Sequence, residues 1–372
     1  MKILFAAGGT GGHINPALAT AGEIRERYPD AEILFVGTKD KMEAKLVPAA
    51  GFDFATIKIS GFQRKISIEN IIRNLKTIFY LLFCTFSVKK ILKKFKPDVV
   101  VGFGGYVSGP VVRTAAKMGI PTAIHEQNAY PGITNKTLAK IVDRVMLTAG
   151  EAEKYMQCKN APTVTGLPVR GEMLKADRDF ARAKLGIRDD QKLILSMGGS
   201  LGAMTINNAM VDLIADNYKD ESLYFIHAMG QYGLWVPDKL KEKGVDVDNA
   251  KNIELREYIS DMDVCMPAAD IVVCRAGASS LSELQALGKA SILVPSPNVA
   301  ENHQYHNAMA LVNKGAALIV EEKDLTKEKM QSLFDSLAKD DANRLGIEAN
   351  AKAMAATDAK EKIADIVLSL IK

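Results

Sequence analysis

The chain has 372 residues, 48% apolar and 25% charged, which suits a folded protein with room for two cores and excludes a disordered or fibrous one. Its four cysteines (Cys84, Cys158, Cys265, Cys274) form no CxxC pair and no metal-like cluster, which argues for reduced thiols in a cytosolic compartment. Net charge is only +4, yet nine Lys/Arg face the single acid Glu69 between Arg64 and Lys96, a local +8, so the basicity is a patch.

The opening MKILFAAGG runs straight into a strand and glycines without a signal-peptide layout, and no 18-residue apolar run follows that could span a bilayer. Apolar runs at KILFAA, EILFVG, FATIKI, DVVVGF, PTAIH and DRVMLT alternate with helix-length segments, which predicts an α/β fold with a doubly wound parallel sheet. The first strand delivers Gly8-Gly9-Thr10-Gly11-Gly12-His13, then a helix with Pro16 near its start. Such a turn cradles phosphate, or merely makes a tight bend. It is not the dinucleotide fingerprint, because Ile14 stands where the third glycine is required, so a nicotinamide or flavin cofactor is rejected.

In Ile71–Lys96, eleven mostly apolar residues (Ile78–Val88) are flanked by Lys76 and by Lys89, Lys90, Lys93, Lys94 and Lys96. One reading is a core helix with a solvated lysine end. The other is a helix lying in the interface of an anionic membrane. Nucleic acid is the third taker of a basic patch, but no recognised nucleic-acid module accompanies it.

Gly102-Phe103-Gly104-Gly105-Tyr106 closes the fourth strand with a second glycine turn, and His125-Glu126-Gln127-Asn128 follows the next. Thr165–Arg170, broken by Gly166 and Pro168, predicts a linker. A new series then begins: KLILSMGGS, LYFIHAMG, NIELREYI, DIVVC, ASILVP and AALIV. Its first strand runs into Gly198-Gly199-Ser200-Leu201-Gly202-Ala203, another anion-ready turn. Between DIVVC and ASILV, Arg275 to Ser280 forms a small-residue turn, and Ser280 with Glu283 has the spacing of a capping box. Asn302-His303-Gln304 offers donors and acceptors for sugar hydroxyls beyond a strand end, where α/β proteins bind ligands. Near the C-terminus, Ile363, Ile366, Val367 and Leu370 make the stripe of an amphipathic helix.

Six motifs in order, GGTGGH, FGGY, HEQN, GLPVR, GGSLGA and the stretch from Arg275 to Gln304 with its following Asn-Ala, resemble the MurG family of GT-B glycosyltransferases over nearly the whole chain. The resemblance implies two Rossmann-like domains facing each other across a cleft. Residues 1–165 plus 348–372 would bind the acceptor and the membrane, and 166–347 would bind UDP-GlcNAc. The reaction implied is inverting transfer of GlcNAc to the 4-hydroxyl of the muramyl sugar of lipid I, forming lipid II for peptidoglycan, at the cytoplasmic face of the cell membrane. Thr10, Gly11, Gly12 and Asn128 would lie near the donor, Arg170 and Ser200 on its diphosphate, and Ile259 on uracil. The turn and helix Ala278, Ser279, Ser280, Leu281, Ser282 and Glu283 would hold the nucleotide, with Glu283 on the ribose hydroxyls and Gln304 on the sugar. For Arg170 a structural ion pair is the competing reading. Gly104, Gly105 and Tyr106 would meet the acceptor diphosphate. His13 is the expected general base, with His125 and Glu126 as rivals.

The family usually has glutamine at Leu201 and at His303, so both positions depart from it. No DxD-like carboxylate pair stands at a strand end, so the expectation is charge stabilisation by helix N-termini and side chains, no tightly bound cofactor or metal, and at most an accessory Mg²⁺. A soluble UDP-GlcNAc 2-epimerase shares the fold class and donor, but the Ile71–Lys96 patch and GGTGGH argue against it. A non-catalytic sugar-nucleotide module and other lipid glycosyltransferases are the remaining alternatives.

Overall fold

The computed structural model describes residues 1–59 and 84–371. The chain divides into two compact units, Met1–Pro168 with Asp358–Lys372, and Val169–Thr357.

The first unit runs β1 (Lys2–Ala6), α1 (Gly11–Arg27), β2 (Glu32–Gly37), α2 (Glu43–Ala49), β3 (Asp53–Thr56), α3 (helical residues 84–95), β4 (Val99–Gly102), α4 (Gly105–Lys117), β5 (Thr122–Glu126), α5 (Ile133–Leu138), β6 (Arg144–Leu147) and β7 (Thr163–Val164). Its seven strands are parallel in the order β3-β2-β1-β4-β5-β6-β7. After Lys2, β1 is apolar, as is the whole of β4, because helices cover both faces, which is why they lack polar alternation. Phe5, Phe35 and Phe103 pack together on the face under α1, with Phe5 and Phe35 stacked at 5.1 Å. Burying each such ring contributes about 2–3 kcal/mol. On the other face, Cys84, Val88 and Leu92 form an i, i+4, i+8 stripe that seats α3 in the core.

The second unit runs α6 (Gly171–Leu174), α7 (Arg178–Leu185), β8 (Lys192–Met197), α8 (Met204–Asn217), β9 (Leu223–Ala228), α9 (Val236–Glu242), β10 (Ile253–Arg256), α10 (Met262–Ala268), β11 (Ile271–Cys274), α11 (Ala278–Leu287), β12 (Ala290–Leu293), α12 (His303–Val312), β13 (Leu318–Ile319), α13 (Lys327–Ala338) and α14 (Asp341–Ala353). Its six strands are parallel in the order β10-β9-β8-β11-β12-β13. The last helix, α15 (Ala359–Leu368), belongs to the first unit. There it buries Ile363, Ala364 and Val367 against α1 and ion-pairs Lys360 with Glu23 at 2.7 Å.

Four boundaries differ from the sequence reading. Residues 348–357 belong to the second unit, because α14 buries Ile347 and Ala351 there, and Gly166–Pro168 stay with the first. α1 begins at Gly11, so Gly11 and Gly12 are its first turn and Pro16 lies inside it. The FATIKI run is strand only as far as Thr56. Of the Ile71–Lys96 patch, residues 71–83 lie outside those described.

Each sheet reverses direction once. β1 is flanked by β2 and β4, and β8 by β9 and β11. Crevices at the carboxyl ends of such strand pairs are where open α/β sheets bind ligands. The GGTGGH and FGGY turns fall at the first switch point, and GGSLGA and Arg275–Gly277 at the second.

Candidate active site

At the first switch point the two glycine turns interlock. Gly9, Gly104 and Gly105 have φ of 92°, 92° and 72°, and a Cβ on Gly105 would stand 2.3 Å from the Gly8 carbonyl oxygen. One on Gly104 would stand 2.8 Å from the His13 ring. Only glycine permits both the left-handed backbone and this approach. α1 and α4 start here with no acid in either first turn, so their positive ends are uncompensated.

His13 Nδ1 lies 3.1 Å from the Gly8 carbonyl and 3.3 Å from Thr10 Oγ1. A carbonyl only accepts, so Nδ1 carries the proton and the neutral ring presents Nε2 as its basic nitrogen. Glu43, a residue the sequence reading passed over, fixes the turn from beneath. Its fully buried carboxylate accepts from Gly9 N (3.1 Å), Thr38 N (3.0 Å) and Thr38 Oγ1 (2.7 Å). Burial pushes its pKa up, but these hydrogen bonds outweigh that and hold it below the usual carboxylate value. The Gly9 amide is therefore committed to Glu43. Burial raises the Tyr106 phenol above its ordinary value; a hydrogen bond to Thr38 opposes this and Glu43 adds to it.

His125 and Glu126, the rival bases, are both buried and engaged in hydrogen bonds. His125 is fully buried, its Nε2 2.9 Å from the Gly166 carbonyl and its Nδ1 3.1 Å from Gln127 Nε2. Desolvation lowers its pKa to about 4. Glu126 accepts from Asn128 N and Nδ2, Gly132 N and Asn135 Nδ2, with burial raising its pKa despite those bonds. It braces the loop carrying Asn128. Gln127 is 4% exposed and its Oε1 has no partner among the described residues.

At the second switch point Gly202 has φ 82°, and a Cβ there would meet the Met229 carbonyl oxygen at 2.2 Å. Ser200 is exposed beside it, and Leu201, half exposed, turns its side chain outward. α11 begins at Ala278 with Gly277 as its cap, no cap hydrogen bond and no first-turn acid. The expected Ser280–Glu283 capping box is therefore absent: Ser280 is already inside the helix. Glu283 instead pairs with Arg170, whose Nε donates to Oε1 at 2.9 Å. Burial raises the Glu283 pKa and Arg170 draws it back. Ala278, Ser279 and Ser280 are part-exposed, whereas the side chains of Leu281 and Ser282 are buried and meet no surface.

Arg275 donates to the Val294 and Pro295 carbonyls and to Glu322, which also accepts from Thr205 Oγ1 at 2.7 Å. Gln304 Oε1 accepts from Ser296 N at 2.9 Å, and His303 Nδ1 lies 2.8 Å from the Ala300 carbonyl, so both shape the loop after β12. Glu301 and Asn302 hold left-handed backbones there, at φ 54° and 50°. Beside this loop is a cavity of about 360 Å³ lined by Thr205, Pro295, Pro297, Asn302, Glu321, Glu322 and Lys323. Ile259 is buried, so its side chain offers little surface to a base. Among the described residues no group of three or more His, Cys, Asp or Glu has the arrangement of a metal site, and no helix is long and apolar enough to cross a membrane.

The sequence matches the glycosyltransferase family 28 N-terminal domain over residues 3–147 and the C-terminal domain of that family over residues 193–367. It is 45% identical over 372 residues to the UDP-N-acetylglucosamine--N-acetylmuramyl-(pentapeptide) pyrophosphoryl-undecaprenol N-acetylglucosamine transferase of Acetivibrio thermocellus, covering 100% of this chain and 99% of that one. Among solved structures it superposes on MurG of Acinetobacter baumannii with a TM-score of 0.81 at 28% identity, over 99% of both chains. The UDP-GlcNAc 2-epimerase of Neisseria meningitidis, at 15% identity and a TM-score of 0.67 over 99% of this chain and 100% of that one, shares the fold alone. With its GT-B architecture of two parallel sheets, the chain belongs to the MurG family of glycosyltransferases.

Proposed function

We propose that the protein transfers GlcNAc from UDP-GlcNAc to the 4-hydroxyl of the muramyl sugar of lipid I, yielding lipid II. The observation that carries this is identity of 45% from end to end with a relative bearing that activity in its name. The local chemistry supports it. In the second unit, the N-termini of α8 and α11 with Ser200 and Arg170 receive the diphosphate, Glu283 the ribose hydroxyls, and the Ile259 backbone the base. The 360 Å³ cavity beside the loop that carries Gln304, lined by Thr205, Pro295 and Glu322 among others, offers a sugar-sized space in the same unit. In the first unit, Gly104, Gly105 and Tyr106 at the start of α4 receive the acceptor diphosphate, and Thr10, Gly11, Gly12 and Asn128 are this unit's residues for the donor.

The acceptor oxygen forms its bond to the anomeric carbon as the bond from that carbon to the UDP oxygen breaks, with inversion. UDP leaves with the electron pair, and the hydroxyl proton passes to His13 Nε2. Amide dipoles and the cationic side chain absorb the charge gathering on the diphosphate. No tightly bound cofactor is required on this reading, and Mg²⁺ is at most an aid to turnover. The exposed lysine face of α3 (Lys89, Lys90, Lys93, Lys94) docks the enzyme peripherally on the anionic cytoplasmic face of the membrane, with no role for nucleic acid.

Transfer of radiolabelled GlcNAc to lipid I or a short-chain analogue tests the assignment. Glu283→Ala is expected to raise KM for UDP-GlcNAc, and His13→Ala to lower kcat by about 10²–10⁴-fold with that KM little changed. If both variants keep wild-type rates, the site is elsewhere.

A further inference from the structure

We propose that Gln127 is a positioning residue for the transfer, its side-chain oxygen favouring the protonated form of His13 as the acceptor's proton arrives. The proposal rests on the reading of His13 as the base. Gln127 follows β5, beside the turn that closes β4, and none of the roles assigned above uses it. Hydrogen bonds fix which way its amide points. The Gly166 carbonyl, 2.9 Å from His125 Nε2, only accepts, so that nitrogen carries the proton of the neutral ring and Nδ1 is left as an acceptor. Gln127 Nε2 donates to this Nδ1 and to the His125 carbonyl, each at 3.1 Å, which spends both amide protons. The His125 ring is held in turn by stacking on Phe103 at 5.4 Å. Gln127 Oε1 therefore points away from His125.

What it faces is the His13 ring. A Cβ on Gly104 would stand 3.3 Å from Gln127 Oε1, 3.0 Å from His13 Nε2 and 2.8 Å from His13 Cδ2. The missing side chain of Gly104 thus lets the amide oxygen and the basic edge of the imidazole gather on one side of the glycine. Gln127 is 4% exposed, and among the described residues Oε1 has no hydrogen-bond partner, a costly state for a buried acceptor. A carbonyl dipole that neither water nor an N–H neutralises repels the lone pair of a neutral Nε2 and attracts a proton there. It is set in advance for charge that exists only once His13 has taken the acceptor's proton. Among the described residues the titratable groups around the pair are Glu43, spent on Gly9 and Thr38, Tyr106, against Gly9, and His125, neutral behind the amide.

The test reads kcat/KM for a short-chain lipid I analogue against pH, on the full chain. Gln127→Met, similar in length but without the oxygen, should lower the plateau about tenfold and move the acid limb down by about half a pH unit, because the base loses what favours its protonated form. Gln127→Glu, which keeps an oxygen in that place, should restore most of the rate, with its acid limb at or above the wild-type one. Gln127→Asn withdraws the amide by one methylene and should move the limb down as Met does, which covers a Met variant that fails to fold. In a His13→Ala background, Gln127→Met should change the rate by less than about twofold, since nothing is left for the oxygen to act on. The proposal is overturned if Gln127→Met keeps the wild-type profile, if the variants lose rate with the acid limb unmoved, or if the losses at Gln127 and His13 multiply; Gln127 then only supports the loop. If His13→Ala itself keeps the wild-type rate, the assignment of the base falls, and this inference with it.

Discussion

His13 and His125 put the same ring to opposite uses. His13 is part-exposed, its proton fixed on Nδ1 by the Gly8 carbonyl, while His125 has both nitrogens engaged and no access to solvent. His227 is equally buried beside Ser196, and desolvation lowers both buried histidines from 6.5 to about 4. Their folded values lie below the unfolded ones, so the stability they contribute is complete above pH 6.5 and is lost as pH falls toward 4, where the unfolded chain takes up protons the folded one refuses. At pH 5 each costs about 2 kcal/mol. Urea unfolding at pH 7 and pH 5 should show that loss, and His227→Gln should remove about half of it. An unchanged slope in that variant would mean the acid sensitivity lies in the carboxylates. By sequence His125 stood as a rival base, and only the folded β5 end, where Gly166 and Gln127 meet its ring, shows it satisfied. Glu43 was not readable in advance, because an acid in KMEAKLVPAA looks like any solvated helix residue until folding brings Gly9 and Thr38 to it. The Ser280–Glu283 spacing misled for the opposite reason: capping depends on where the helix starts, and Gly277 starts it first.

At the scale of elements, the strands were legible because parallel strands buried on both faces leave unbroken apolar runs. The helix starts were not, since glycine turns give no periodicity to count. The paired turns at β1 and β4 carry the sharper consequence. Gly105→Ala forces alanine to φ 72° and drives its Cβ into the Gly8 carbonyl, so one turn must move off the other. We expect a loss of at least about 1–2 kcal/mol and a transfer rate reduced more than tenfold, because the displaced turn carries His13. Gly22 is the internal control. It lies within α1 with nothing within 4 Å of its would-be Cβ, so Gly22→Ala should stabilise by about 0.5–1 kcal/mol and leave the rate unchanged. Denaturant midpoints and initial rates on both variants decide the matter: a fully active Gly105→Ala would show that the interlock is dispensable.

For the whole molecule, the uneven charge matters more than its sum. A net +4 spread evenly would hardly draw the protein to a surface, but α3 places Lys89, Lys90, Lys93 and Lys94 together in solvent while Cys84, Val88 and Leu92 hold the helix in the core. The helix is thus anchored from within and can present its lysines without unfolding, and the exposed Phe86 adds an apolar contact on its outer side. At about 1 kcal/mol per lysine near an anionic surface, four of them amount to roughly 4 kcal/mol, a factor of about 10³ in partitioning at low salt. Replacing all four by glutamine should therefore weaken sedimentation with phosphatidylglycerol vesicles by about 10²–10³-fold, and raising salt should weaken the wild-type protein in the same direction. Transfer to a water-soluble short-chain acceptor should be unaffected, because none of the four touches the glycine turns. Vesicle binding that survives the quadruple substitution would move the docking surface away from α3 while leaving the chemistry at the two switch points intact.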